Sequence, residues 1–130
     1  MLDRDTTLWC GYVLKTSAGN IYFAADTGYN EVTFKDIGTR CGPIKISFIP
    51  IGAYKPGWFM SPIHVSPEEA VKIHFDVGSE TSIAMHFGTF PLADDGYDEP
   101  ARDLEEAMIK NQLAPDSFIL MKEGEYRVFE

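Results

Sequence analysis

The sequence is short of cysteine, short of positive charge and without a long apolar run, and each shortage closes off a class of protein. Its 2 cysteines, Cys10 and Cys41, are too few for a disulfide scaffold and too far apart for a CxxC metal motif. Both read as structural thiols, Cys10 in an apolar, strand-like run and Cys41 following Phe34 and Ile37 at helical spacing. Lysine and arginine number 11 against 20 aspartate and glutamate, a formal charge of -9. That excess repels a phosphate backbone, so nucleic acid is not an expected partner. Nothing approaches the apolar length of a transmembrane helix, and the opening MLDRDTTLW carries acids where a secretory signal needs bases. The expectation is a cytoplasmic protein. Also missing are a GxSxG nucleophile elbow, a glycine-rich phosphate loop, and any histidine close in sequence to either cysteine.

What is present is an ordinary globular composition, 45% hydrophobic over 130 residues, enough for one domain that buries roughly two-thirds of its unfolded surface. LWCGYVLK (8–15) and NIYFAA (20–25) read as strands joined by the turn TSAGN. Residues 30–40 form a helix candidate ended by Gly42 and Pro43, and IKISFIPIG (44–52) a third strand whose apolar later half suits burial on both faces. Ser66 as N-cap, Pro67 at the first helical position, Glu69 completing a capping box and Gly78 as the stop define the next helix. Its stripe of Ala70, Ile73, His74 and Val77 should lie on the sheet, which makes His74 a packing residue. SIAMHFG (82–88) then reads as a fourth strand. DEPARDLEEAMIKNQL (98–113) reads as a helix with Ala101, Leu104 and Met108 inward, and FILMKEG with YRVFE as a terminal strand pair. The pattern predicts a layered α/β domain.

Three residues stand out chemically. Asp26, in NIYFAADTGYN, follows an apolar strand, where open α/β sheets gather polar ligands, although Asp-Thr-Gly could equally close an Asx-turn. His86, in TSIAMHFGTF, interrupts an apolar strand and reads either as a satisfied core histidine or as a ligand. His64 lies on the loop before the capping box, as a surface residue or a functional one. All three fall beside predicted strand ends, and carboxylate oxygen with imidazole nitrogen suits zinc, manganese or iron. Metal-assisted hydrolysis is the reaction class this favours.

The segments LWCGYVLKTSAGNIYFAADTGYN, IPIGAYKPGWFM, HVSPEEAVKIHFDV and MHFGTFPLADDGYDEPARDLEEA together resemble the carboxyl-terminal half of a metallo-β-lactamase-superfamily hydrolase. Within that superfamily they are similar to the N-acyl-phosphatidylethanolamine-hydrolysing phospholipase D branch and its bacterial relatives. The resemblance runs from about residue 3 to residue 128. It implies half of an αββα sandwich, one mixed sheet with helices on one face, and a site for two zinc ions in the complete domain. By resemblance, Asp26 corresponds to the aspartate bridging the metals and His86 to the last histidine ligand. His64 corresponds to a catalytic-site histidine that orients substrate or moves a proton, and Tyr54, Trp58 and Phe59 to the substrate-cleft loop, where aromatic packing is an equal explanation. The family's HxHxDH motif is missing, and 3 histidines cannot complete its ligand set. The resemblance therefore implies a chain inactive alone, completed by an amino-terminal half or paired with a second copy through an open sheet face. A small phosphodiester or phospholipid would be the substrate, with association at a membrane surface.

Overall fold

The computed structural model describes residues 9–129; Leu8, at the start of the first expected strand, Glu130, at the end of the last, and most of the opening segment lie outside them. Five strands form one mixed sheet in the order β1-β2-β3-β4-β5: β1 Tyr12–Thr16, β2 Gly19–Phe23, β3 Ile44–Pro50, β4 Ser79–Met85 and β5 Phe118–Ile119. The hairpin β1–β2 is antiparallel and every other pairing is parallel. Helices α1 (Glu31–Cys41), α3 (Pro67–Asp76) and α4 (Glu99–Lys110) are the crossovers between the parallel strands, and a single turn, α2 (Gly57–Met60), lies in the β3–α3 connection. Each new parallel strand adds on the same side of the last. Right-handed crossovers then leave every helix on the same face of the sheet.

The strand register shows which face that is. Tyr22, Ser47, Ser82 and Phe118 lie side by side across β2 to β5 and all are buried. The stripe of Ala70, Ile73 and His74 on α3, continued by its C-cap Val77, is buried with them, as its periodicity predicts. Ser66 Oγ accepts from the Glu69 N–H and the Glu69 carboxylate accepts from the Ser66 N–H at 2.8 Å, so the predicted capping box is formed. His74 is a satisfied core histidine, 4% exposed, with Nδ1 2.8 Å from Ser82 Oγ on β4. The opposite register, Tyr12, Phe23, Phe48 and Ile83, lines the other face, on which no helix of the described residues lies. On it Tyr12, Leu14 and Phe23 are exposed.

Several elements differ from the sequence reading. β4 begins at Ser79 rather than Ser82, because Gly78 at φ +64° turns α3 directly into the strand through polar residues that carry no apolar signal. It also ends at Met85, one residue before His86. The terminal strand pair is not formed: β5 is two residues long, pairs only with β4, and residues 125–129 form no strand. In α4 Leu104, Ala107 and Met108 are buried while Ala101 is only half-buried. Cys41 packs against the core, but Cys10 precedes β1 and is exposed, so it is not a core thiol.

Burial depresses the His74 pKa below the ordinary imidazole value. The unfolded chain therefore takes up a proton near pH ~6.5 that the folded chain resists. Stability should be full above that pH and fall as acid is added through and below it. Urea midpoints at pH 7 and pH 5 should show the loss, and His74→Gln should flatten the dependence between them.

Candidate metal centre

The site is assembled at the carboxyl ends of β2, β3 and β4. Because the three strands run parallel, their connections to the next helices leave the same sheet edge, and backbone bonds continue the pairing just past the strands: Ala24 N–H donates to Phe48 at 3.0 Å and Ile51 N–H to Met85 at 3.1 Å. Asp26 follows β2, His86 follows β4, and His64 comes from the β3–α3 connection, its N–H donating to Met60 at 2.8 Å just after α2. One side-chain donor atom from each of Asp26, His64 and His86 lies within 4.8 Å of the others. Asp26 Oδ1 is 3.5 Å from His86 Nε2, and the two imidazoles stack with centroids 5.1 Å apart and planes 27° apart. Among the described residues no backbone N–H donates to the Asp26 carboxylate, so its geometry is not that of an Asx-turn; the neighbouring Thr27 hydroxyl donates to the Gly28 carbonyl instead.

Backbone strain marks the same three strand ends. Ala25, Ala53 and His86 have φ of 57°, 62° and 60°, a region that costs a residue with a Cβ about 1 to 3 kcal/mol and clusters at functional sites. For His86 this turn is what takes the side chain out of the strand's alternation. Two glycines make the close approaches possible. A Cβ on Gly28 would lie 2.5 Å from the Pro62 carbonyl oxygen, and one on Gly52 would lie 2.2 Å from that of His86. The glycine of Asp-Thr-Gly is therefore what lets the Asp26 loop rest against the segment that carries His64.

The electrostatics leave the His64 imidazole suited to bind rather than to carry charge. Burial, and secondarily the neighbouring His86, lowers the His64 pKa below the ordinary value, against the opposing pull of Asp26 and Asp95. Nδ1 of both His64 and His86 is buried without a hydrogen-bond partner. Asp26 is open to solvent at 61% side-chain exposure while His86 is at 22%. A cavity of about 430 Å³ lined by Trp9, Phe23, Ala25, Asp26, Met85 and His86 opens beside the pair.

The aromatic loop residues divide. Tyr54 is buried, and its hydroxyl donates to the Asp103 carboxylate at 2.6 Å, which together with burial holds its pKa far above the usual phenol value. Trp58 and Phe59 on α2 are exposed and pack on each other with centroids 5.7 Å apart. Neither lines the cavities that reach His86. Asp95, which the sequence reading passed over, accepts from the Ala53 N–H at 3.0 Å and fixes the strained turn after β3. No periodicity or motif in LADDG distinguishes it from its neighbour Asp94.

Residues 1–87 match the family model described as a Beta-lactamase superfamily domain. The chain is 40% identical over 125 residues to the N-acyl-phosphatidylethanolamine-hydrolyzing phospholipase D 1 of Caenorhabditis elegans, covering 95% of this chain and 35% of that protein. It is 34% identical over 96 residues to a metal-dependent hydrolase of Methanopyrus kandleri, covering 74% of this chain and 37% of the relative. A solved metallo hydrolase from Ignicoccus hospitalis superposes with a TM-score of 0.68 at 24% identity, over 97% of this chain and 48% of that one. The chain thus spans between 23% and 43% of the length of the curated relatives it matches.

Gly28→Ala should force the Asp26 loop away from Pro62 and Ser61, since the added Cβ meets their carbonyl oxygens at 2.5 and 2.6 Å. The expected cost is about 1 to 3 kcal/mol of unfolding free energy, read from urea denaturation.

Proposed function

Since the chain belongs to the metallo-β-lactamase superfamily of hydrolases, whose members depend on a metal, we propose that it is the carboxyl-terminal part of a phosphodiesterase in which Asp26 and His86 bind metal. The observation that carries this is the convergence of Asp26, His64 and His86 from three separate strand ends. The donors fit a divalent ion: an accessible carboxylate, the His64 imidazole, whose burial disfavours its charged form and whose buried Nδ1 no protein group satisfies, and His86 Nε2 at 3.5 Å from Asp26 Oδ1. When bound, zinc, as two ions in the complete domain, supplies the Lewis acidity that activates water and polarises a phosphodiester; manganese or iron suits the same donors.

The chain's own residues then have distinct tasks. Asp26 offers two oxygens and so can span two ions. His86 offers Nε2 from a backbone turn held by the close approach of Gly52. His64, neutral at physiological pH, is placed to accept or return a proton at the substrate. Tyr54 holds the loop after β3 against α4, while Trp58 and Phe59 present an exposed aromatic surface that suits an acyl chain or a membrane surface. The 40% identity to an N-acyl-phosphatidylethanolamine-hydrolyzing phospholipase D favours a phospholipid over a sugar or protein substrate. No helix among the described residues is long and apolar enough to cross a membrane.

The remaining metal ligands come from an amino-terminal half bearing HxHxDH, and its sheet is the natural cover for the open face of Tyr12, Leu14 and Phe23. Joined to that half, by fusion or by co-expression, the protein should contain metal and cleave N-acyl phosphatidylethanolamine. Asp26→Ala should remove both properties; a variant that keeps its full metal content would show that Asp26 is misassigned.

The exposed apolar face also favours a second reading, a non-catalytic half-domain that pairs with another copy of itself. Sedimentation of the isolated chain should then show a dimer that dissociates on dilution, and a monomer at the highest attainable concentration removes this reading.

A further inference from the structure

We propose that the cavity between the end of β4, the start of α4 and the turn at residues 121–123 is the subsite for the polar head of the phosphodiester substrate, with Lys122 holding the anionic group there. This deepens the hydrolase reading above and rests on it for the class of substrate. The cavity holds about 450 Å³, with apolar walls from Phe87, Ala101 and Met121. His86 is part of its lining and also borders the cavity beside Asp26, so the two spaces meet at one residue.

The charges single this cavity out. Of the residues lining the cavities that reach His86, Lys122 is the one cation. Elsewhere on the molecule Lys35, Arg40, Lys55, Arg102, Lys110 and Arg127 are each paired with a carboxylate. Lys122 has no such partner among the described residues. Glu125, three positions on, is otherwise engaged: its carboxylate accepts from the Lys122 N–H at 3.1 Å and from Arg127 Nε at 3.2 Å. With the Glu125 N–H donating to the Lys122 carbonyl at 3.0 Å, those bonds close the turn that carries the lysine. The backbone is fixed and the ammonium is unspent.

The rest of the rim suits a phosphate ester. Thr89 and Tyr97 bring hydroxyls to the cavity. Asp98, although at the N-cap of α4, makes no capping bond with its side chain and keeps its carboxylate for another donor. The hydroxyls and the ammonium match phosphate oxygens, and the acid matches an amide N–H or a hydroxyl on the adjoining arm of the diester. With 20 acids against 11 bases, the chain as a whole repels an anion, so a cation at this place decides whether a charged ester is preferred to a neutral one. An ammonium on a flexible stem serves phosphate as a point charge. Inorganic phosphate shares the anion but has no arm to lie against Phe87 and Met121.

The chain should be titrated with a water-soluble N-butanoyl glycerophosphoethanolamine and, separately, with inorganic phosphate, following backbone amide resonances. Saturable shifts at Phe87, Tyr97, Ala101 and Lys122 are expected, with the diester bound more tightly than phosphate. Lys122→Gln should weaken the diester about 10-fold and Lys122→Arg much less, since one hydrogen bond to a charged group is worth about a decade in affinity. The side chain is exposed, so both variants keep the fold. Shifts that fall elsewhere, an affinity unchanged in Lys122→Gln, or phosphate bound as tightly as the diester overturns the proposal. In the protein joined to its amino-terminal half, Lys122→Gln should raise KM for the diester by more than it changes kcat. If that protein hydrolyses the diester and KM does not move, the subsite is wrong and the hydrolase reading stands. If it hydrolyses no diester although the cavity binds one through Lys122, the hydrolase reading fails and the binding site stands.

Discussion

The site depends on one constraint, the parallel alignment of β2, β3 and β4, which brings three chain exits to the same edge of the sheet. Asp26, His64 and His86 are separated by 38 and 22 positions in the sequence, yet their donors meet within 4.8 Å. No contact between the three side chains is needed to cause this. The inter-strand hydrogen bonds level the strand ends, and the backbone at Ala25, Ala53 and His86 then turns out of the sheet at positive φ. The energy for those turns comes from the pairing behind them and from Asp95, which accepts the Ala53 N–H.

The helical side of the molecule was readable from residue spacing. Ser66, Pro67, Glu69 and Gly78 each act on the backbone within a few positions, so the boundaries of α3 follow from local chemistry, and its buried stripe follows from helical period. The sheet was less so. Ser79, Glu80 and Thr81 belong to β4 although nothing in their side chains marks them, because the strand is set by pairing with Ile44 and Ile46. YRVFE has strand-like composition but finds no partner edge among the described residues.

The functional residues divide along the same line. Asp26 and His86 stand out as polar residues at the ends of apolar runs, a signal that sequence carries. What it does not carry is why they meet. Gly28 and Gly52 look like ordinary turn glycines, and only the approach of the Pro62 and His86 carbonyls shows that a methyl group at either place would push the loops apart. Asp95 shares the difficulty: its role exists only once the turn after β3 has folded against it. Tyr54 differs, since the loop that carries it was recognised while its inward direction, toward Asp103, was not.

The outer strand β1 remains to be considered as an edge. Among the described residues it pairs only with β2, and four of its five residues are exposed, so among those residues its outer N–H and C=O groups find no strand partner and form an edge to which another extended chain could add. The exposed Lys15 near its end places a charge that must be desolvated before a foreign strand can dock. A single amine in that place turns a potential template for fibre growth into a guarded border, which a chain with so much apolar surface on the adjoining sheet face has particular reason to keep.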